Sequence, residues 1–333
     1  MSGPAGIWGP SCISCAQVAV SEINEADGIG NKRLVPYFLD ADDGNIDALE
    51  QELATLISEG EIEAVVGMHL SSVRQRLKRV ISGRIPYVFT PAYEGNENAF
   101  NVYAIGEKTS DQLAPAIRYL STALKARRWA LIGNEYVWPR QSHVIARSCI
   151  AEVGGTIVFE DYVPLGFKRA DRVVERIART KPDITIVSLI GQDAVEFNRA
   201  FGARNLDRQS FRLSTAMDEN VLLATGAQNT KRLFVASAYF SDLKTERNEE
   251  FKERYKASHR TFPPVLNALG QSLYEGLHFY ATMRSSKDED AAAGLIRYRS
   301  VRKGLYHVNE CKGLTTYLSR ADGHRFSILC ELD

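Results

Sequence analysis

Short apolar runs alternate with helical patterns along the first third of the chain. Residues 46–60 (IDALEQELATLISEG) carry apolar residues at helical spacing, 64–67 (AVVG) form a continuous apolar run, and 73–83 (VRQRLKRVISG) are helical again. A strand pattern, PYVFTP, follows at 86–91. Strands separated by helices of this length are typical of βαβ units, so we predict an α/β fold with mostly parallel sheets.

The alternation begins again in the middle of the chain, from the strand pattern RWALIG at 128–133. Residues 57–77 and 177–201 both show the order helix end, apolar strand, glycine turn, polar residue and helix. A chain of 333 residues also exceeds what one compact core usually holds. We therefore predict two similar doubly wound, Rossmann-like lobes.

The start of the chain departs from this scheme, because a doubly wound sheet normally opens with a strand. Here residues 1–10 (MSGPAGIWGP) are predicted to be loop, and the first helix is predicted to start near Ser11 as its N-cap. The first strand pattern is RLVPYFLDADD at 33–43. The sequence thus predicts that the opening strand of lobe one is missing. At the other end, an ADGH turn at 321–324 predicts a terminal hairpin.

Composition excludes several classes of protein. The 41 basic residues balance the 41 acidic ones, which argues against nucleic acid or an anionic membrane as a direct partner. No apolar run approaches the ~20 residues that span a bilayer, and the first ten residues do not resemble a signal peptide. Five sparse cysteines are not a disulfide framework and favour a reducing compartment. The CISC pair at 12–15 is better explained by core packing than by redox chemistry.

Catalytic signatures are absent from the sequence. It contains no GxGxxG, GxxxxGK[ST], HExxH or GxSxG motif, and its six histidines do not fall at metal-ligand spacing. We therefore expect no metal, no cofactor and no enzymatic activity. A Ser71–His69 hydrolase is the rival hypothesis, but the sequence identifies no third residue that would orient His69.

Polar and aromatic residues instead follow the predicted strands at their carboxyl ends, where open α/β sheets bind ligands. Ser71 follows AVVG, and the helix start beside it offers backbone N–H groups to a carboxylate, carbonyl or amide. Tyr136 and Trp138 follow RWALIG, and Asp218 follows a later strand. Each has a structural alternative: a helix N-cap for Ser71, core packing for the aromatic pair, and a helix N-terminal acid for Asp218.

Three segments resemble one family. GMHLSSVRQRL (67–77), TPAYEGNE (90–97) and ALIGNEYVWPRQSHVIAR (130–147) are similar to type I periplasmic solute-binding proteins, in particular their amide and urea branch. The resemblance extends over essentially the whole chain. It implies two lobes joined by three hinge crossings near residues 120, 241 and 305, and a small ligand held in the cleft between them by hinge closure.

The resemblance also implies the ligand contacts. Ser71 matches the family serine that hydrogen-bonds the ligand, and His69 and Phe89 stand where the amide sensor has aromatic hydroxyls, so the pocket's hydrogen bonding is altered. Asp218 would meet an ammonium group if the ligand is an amino acid. The full predicted set is Ser71, His69, Phe89, Ala92, Tyr93, Tyr136, Trp138 and Asp218.

The family leaves two roles open. One is the substrate-binding component of an ABC importer for urea, a short amide or an amino acid, whose protein partner is the permease. The other is a cytoplasmic amide-type sensor that acts on an antiterminator-type regulator. A leader outside the printed sequence would favour the periplasm and its absence the cytoplasm, and a homodimer is possible in either role. Lobe one is predicted to comprise 1–120 plus 242–305, and lobe two 121–241 plus 306–333.

Overall fold

The computed structural model describes residues 2–259, 262–285, 295–302, 305–307, 310–312 and 314–332. The chain divides into two compact α/β units. Unit 1 comprises Met1–Gly3, Trp8–Glu107 and Lys244–Thr315, and unit 2 comprises Pro4–Ile7, Lys108–Leu243 and Thr316–Asp333. Apart from residues Pro4–Ile7, which belong to unit 2, the main chain passes between units at 107/108, 243/244 and 315/316, where the sequence suggested 120/121, 241/242 and 305/306. Part of the third predicted crossing lies outside the described residues.

Unit 1 holds a short parallel sheet between two helical layers. Its strands pair in the order β1–β2–β3, and a separate antiparallel sheet has the order β11–β10–β9. The elements are α1 Gly9–Glu25, α2 Ile46–Ser58, β1 Val65–Gly67, α3 Ser71–Ile81, β2 Tyr87–Phe89, β3 Val102–Ala104, α9 Glu246–His259, α10 Ala268–Ser285, β9 Leu295–Arg299, β10 Leu305–His307 and β11 Glu310–Lys312.

The two faces of this sheet are both apolar. Leu53 of α2 and Leu77 of α3 pack with Tyr87 and the half-buried Val65 on one face. Phe279 of α10 packs with Val88, Ile105 and the half-buried Val66 on the other. The near-continuous apolar runs AVVG and YVF are what a sheet covered by helices on both faces requires.

Unit 2 holds a seven-stranded sheet in the order β13–β12–β8–β7–β6–β4–β5. The strands from β8 to β5 are parallel, and the β12–β13 hairpin, predicted from the ADGH turn, adds the antiparallel edge. The elements are α4 Thr109–Ala123, β4 Arg128–Asn134, α5 Val137–Glu152, β5 Thr156–Val163, α6 Ala170–Thr180, β6 Ile184–Ser188, α7 Gly191–Ala203, β7 Phe211–Ser214, α8 Glu219–Thr225, β8 Leu233–Ser237, β12 Thr316–Asp322 and β13 Arg325–Leu332.

Two predictions at the start of the chain are wrong. Residues Gly3–Trp8 form a 3-10 helix rather than loop, and α1 begins at Gly9, so Ser11 lies buried inside the helix instead of capping it. Pro10 explains the early start, because proline is tolerated in the first helical turn, where its missing N–H costs no hydrogen bond.

The predicted first strand, residues 33–43, also differs from the structure. Residues 33–42 belong to no strand, and a 3-10 helix begins at Asp43. Both backbone groups of Leu34 are instead hydrogen-bonded to the amide of Asn24. Across the described ranges, no helix combines the length and apolarity needed to cross a membrane.

Candidate functional site

Ser71 begins helix α3, four residues after strand β1 ends at Gly67. Its side chain is only 2% exposed, and its hydroxyl donates a hydrogen bond of 2.8 Å to Oε2 of Glu94. The capping position before the helix is occupied by Leu70, in extended conformation, with no side-chain cap. The structural alternative of a serine N-cap therefore does not hold, and the Ser71 proton points at a carboxylate.

Next to Ser71 lies a charge cluster, which we call the Arg74 cluster: Arg74 and Glu97, which are buried, and Lys78 and Glu94, which are partly exposed. Arg74 is 3% exposed; its Nη2 contacts Glu94 Oε1, and its Nε lies 3.3 Å from Glu97 Oε2. Lys78 Nζ lies 2.9 Å from the same Glu97 oxygen. The cluster contains two cations and two anions, so its formal charges cancel. This offsets part of the cost of desolvating them.

The guanidinium of Arg74 also covers two aromatic rings. Its Cζ lies 4.7 Å from the centroid of Phe89 and 5.5 Å from that of Tyr93, within cation–π range. Nη1 of Arg74 is buried and has no hydrogen-bond partner in the structure. Arg74 therefore contacts the rings of Phe89 and Tyr93 and also the Glu94 carboxylate, which accepts the hydrogen bond from Ser71.

His69 is buried between Tyr87 and Phe89. Nδ1 lies 3.1 Å from the Leu70 carbonyl and Nε2 lies 2.8 Å from the Tyr87 hydroxyl. Because a carbonyl only accepts, Nδ1 carries the proton and Nε2 accepts from Tyr87. Burial lowers the pKa of His69 to about 4, with the nearby Arg74 charge acting in the same direction, so the ring is neutral at pH 7.

These contacts bear on the hydrolase hypothesis. A base for Ser71 would need a free ring nitrogen within hydrogen-bond reach of its hydroxyl. Both nitrogens of His69 already have partners, and the Ser71 hydroxyl donates to Glu94. The geometry supplies no serine–histidine pair, and a ligand role for His69 stays a prediction.

The segment after β2 is held by backbone contacts. Tyr93 is buried, and its N–H donates to the Glu107 carbonyl at 2.9 Å. At Gly106 an added Cβ would lie 1.9 Å from the Pro91 carbonyl oxygen, so only glycine allows this close approach. Ala92, between Pro91 and Tyr93, is half-buried. The loop is therefore rigidly placed, and its contact with a ligand stays a prediction.

Unit 2 places the predicted aromatic pair at the end of β4. Tyr136 precedes helix α5, and Trp138 lies in its first turn rather than on an extended segment. Their rings nevertheless stack, with centroids 6.4 Å apart and planes at 28°. Trp138 is 4% exposed and donates from Nε1 to Thr109 Oγ1 at 3.0 Å. Trp138 thus fits the packing alternative, whereas the half-buried Tyr136 keeps part of its surface accessible.

Asp218 acts as the N-cap of helix α8, where its Oδ1 accepts a 3.1 Å hydrogen bond from the Val221 N–H. Its neighbour Glu219 is 7% exposed and accepts from the Ser241 N–H at 2.7 Å. Burial, with the Asp218 charge adding to it, raises the pKa of Glu219 to about 8. The helix-terminal alternative therefore describes Asp218 in this structure, and a contact with a ligand ammonium stays a prediction.

The CISC pair has no redox features. Cys12 and Cys15 are buried in α1, and burial raises the pKa of Cys15 well above its ordinary value. A reactive thiol requires the opposite shift. In the part of the chain that the structure describes, no group of three or more His, Cys, Asp or Glu residues could hold a metal ion.

The sequence alone did not reveal the Arg74 cluster or the burial of Glu219, which the segment STAMDEN (214–220) indicates only as a helix N-terminal acid beside Asp218. A signal for Arg74 was available: it lies three residues before Leu77 and seven before Ile81, on the apolar face of α3, whereas Arg76 does not. A charged residue on an apolar face has to find a buried partner. For Glu219 no comparable pattern exists, and its hydrogen-bond donor, the Ser241 N–H, is 22 residues away in sequence.

The fold agrees with comparisons to known proteins. Residues 1–324 match the model of a family described as "Periplasmic binding protein", and the chain belongs to that family. A curated relative, the Leu/Ile/Val/Thr-binding protein of Salmonella typhimurium, is 25% identical over 192 residues. That match covers 55% of this chain and about half (51%) of the relative.

Solved structures with the same fold cover nearly the whole chain. A solute-binding protein of an ABC transporter from Rhodopseudomonas palustris BisB5, in complex with 3,4-dihydroxybenzoic acid, has a TM-score of 0.86 and 16% identity over 100% of this chain and 95% of its own. The branched-chain amino acid transporter substrate-binding protein LivJ of Streptococcus pneumoniae, in complex with isoleucine, has a TM-score of 0.83 and 17% identity over 98% and 96%. These confirm the two-lobe α/β fold with parallel sheets.

Proposed function

We propose that this protein is the solute-binding component of an ABC importer, and that its solute is a small amide, urea or an amino acid. The supporting observations are family membership, polar and aromatic residues at strand ends in both units, and a serine–histidine geometry unsuited to catalysis. The solutes bound by relatives, such as isoleucine or a dihydroxybenzoate, indicate the size of ligand this fold takes.

The hydrogen bond from Ser71 to Glu94 supports a ligand that presents an N–H group to Ser71. Glu94 contacts Arg74 and is a carboxylate, so it can only accept, and Ser71 has to donate its one proton to it. The Ser71 oxygen is then left with lone pairs. It therefore favours a ligand N–H over a carboxylate oxygen, which is the chemistry of a primary amide, urea or an ammonium group.

Ser71→Ala is expected to weaken binding of such a ligand by about 2- to 10-fold, since one neutral hydrogen bond contributes about 0.5–1.5 kcal/mol. Ser72→Ala is the matched control, one residue further along the same helix, and should leave the affinity within about twofold. Isothermal titration of both variants against the parent measures the difference. Equal affinities for parent and Ser71→Ala would exclude Ser71 as a ligand contact.

The function itself is tested by thermal shift. A ligand at 100 times its Kd stabilises the folded state by about 2.7 kcal/mol, which raises the melting temperature by several degrees. The panel should include urea, short aliphatic amides, branched-chain amino acids and benzoates. We expect amides or amino acids to raise the melting temperature and benzoates not to. A well-folded protein that responds to none of these compounds would contradict the proposal.

A further inference from the structure

Basic residues of unit 2 concentrate at one edge of its sheet. Strands β4, β6, β7 and β8 are parallel, so their amino ends lie together. The segments at the start of three of them are KARR at 125–128, KPD at 181–183 and KR at 231–232. They carry six exposed basic side chains and one carboxylate, that of the half-buried Asp183. We call these three segments the basic edge.

Hydrogen bonds join the segments of the basic edge across the sheet. Asp183 Oδ2 accepts from the N–H groups of Arg127 and Arg128 at 2.7 and 2.8 Å, which joins the starts of β4 and β6. Strand β7 lies between β6 and β8, and its Arg212 N–H donates to the Arg232 carbonyl at 2.9 Å. Neighbouring strands are about 4.8 Å apart, so the four strand ends form a row about 14 Å long.

Part of this charge has a structural role. Arg128 donates from Nε to the Lys181 carbonyl at 3.1 Å and from Nη2 to the Thr180 carbonyl at 2.7 Å, at the end of helix α6. Arg232 donates from Nη1 to the Arg208 carbonyl at 2.9 Å. Cations that bind the last carbonyls of a helix stabilise it, so the helix end accounts for Arg128.

The three lysines of the basic edge have no such role. Within the part of the chain that the structure describes, the side chains of Lys125, Lys181 and Lys231 form no hydrogen bond or ion pair, and all three are exposed. Like charges held close together repel one another, which destabilises the folded chain. An anionic partner would remove this cost.

Neighbouring segments do not cancel the positive charge. Strand β12 is antiparallel to β8, so the hairpin turn 320–325 lies at the same edge, and it carries two exposed arginines and one exposed aspartate. Glu175 of α6 contacts Arg179 at 2.6 Å and Arg204 at 3.7 Å and is therefore offset. The excess of cations thus continues beyond the three segments.

The chemistry of the basic edge distinguishes between anionic partners. None of the large apolar side chains that the described chain leaves exposed belongs to its segments. Protein interfaces are depleted of lysine at their core and enriched in aromatic residues, and single-stranded nucleic acids stack their bases on aromatic rings. A layer of lipid phosphates needs neither, and a straight row of cations matches a planar surface.

We propose that the basic edge binds the headgroups of an anionic phospholipid surface. The equal totals of 41 basic and 41 acidic residues do not oppose this, because a sum does not describe where charges lie. Tyr136 and Asp218 follow the carboxyl ends of β4 and β7, at the opposite edge of the sheet. Lipid binding therefore leaves the predicted solute contacts of unit 2 uncovered, and the proposal does not depend on which solute binds.

The test uses the full chain and vesicles of equimolar phosphatidylcholine and phosphatidylglycerol, with vesicles of phosphatidylcholine alone as reference. Flotation in low salt measures the bound fraction. We expect binding to the anionic vesicles only, and weaker binding at high salt, which screens the charges. Lys125→Gln/Lys181→Gln/Lys231→Gln should weaken it by more than about 20-fold, since each basic residue near an anionic surface contributes about fivefold.

The matched control is Lys32→Gln/Lys168→Gln/Lys256→Gln, which removes three exposed lysines outside the basic edge. It changes the net charge equally and should keep its affinity within about threefold of the parent. Both variants should melt close to the parent, because surface substitutions change stability little.

A parent chain that does not bind the anionic vesicles would overturn the proposal. Equal losses in the two triple variants would do so as well, because the loss would then follow net charge rather than position. Duplex DNA or polyglutamate that binds more tightly than the vesicles, at an equal concentration of negative charge, would assign the basic edge to a nucleic acid or to an acidic protein instead.

Discussion

Arg74→Met is expected to lower the free energy of unfolding by about 3–5 kcal/mol, because it removes one partner of a buried ion cluster. Glu94 would lose its cation, and Glu97 would keep only Lys78. Methionine fills the volume of the arginine stem, so the loss measures charge rather than packing. Urea denaturation at pH 7 provides the measurement.

Arg76→Met is the matched control, two residues further along α3. Arg76 also contacts two carboxylates, Glu50 and Asp47, but its side chain is 40% exposed. Exposed ion pairs contribute about 0–1 kcal/mol, so this variant should unfold close to the parent midpoint. If the two variants lose the same stability, burial does not distinguish the two arginines and the Arg74 cluster has no special role.

The double variant Arg74→Met/Glu94→Gln separates charge from geometry. Glutamine removes the uncompensated anion while its carbonyl oxygen can still accept from Ser71. We expect it to recover part of the stability lost in Arg74→Met. A double variant less stable than the single one would show that Arg74 acts mainly through the rings of Phe89 and Tyr93.

Glu219→Gln is expected to remove a pH dependence of stability between about pH 4.5 and 8. Burial raises the pKa of Glu219 from its ordinary 4.5 to about 8, so the folded state binds a proton that the unfolded state has released. The stability from the neutral carboxyl is fully present below about pH 4.5 and is lost as pH rises to 8. The loss amounts to about 4–5 kcal/mol at 1.36 kcal/mol per pKa unit.

The variant should therefore be more stable than the parent at pH 9 and similar to it at pH 5. The glutamine carbonyl can still accept from the Ser241 N–H, so the backbone contact is kept. Denaturant midpoints measured across this range provide the test, with the exposed Glu196→Gln as control. Parallel pH profiles for parent and Glu219→Gln would mean that Glu219 is ionised in the folded state.

The sequence predicted correctly those elements whose apolar pattern is set by residues close together in the chain. The helical patterns at 46–60 and 73–83 and the ADGH hairpin appear in the structure. The prediction failed at residues 33–43, because a strand requires a neighbour, and the apolar pattern cannot reveal whether one is present. The sheet β9–β11 was not predicted from the sequence.

For the site, the sequence could locate residues but not their partners. Ser71 lies at the strand end where it was expected, but the acceptor of its proton is 23 residues away in sequence. From the sequence, His69 was interpreted as a position where the ligand pocket differs from that of the amide sensor. In the structure its two ring nitrogens are hydrogen-bonded to the Leu70 carbonyl and the Tyr87 hydroxyl. Such pairings depend on how distant strands align, which side-chain chemistry alone does not encode.

The stacked pair of Tyr136 and Trp138 has a practical consequence. Of the three tryptophans in the sequence, Trp8 and Trp129 are buried at 3% and 0% exposure and belong to no candidate site. Trp138 alone stacks on a residue expected to meet solute. A solute that displaces the Tyr136 ring would change the fluorescence emission of Trp138, while the emission of Trp8 and Trp129 would stay constant. We therefore predict that indole emission reports occupancy, so that affinity can be titrated without a label.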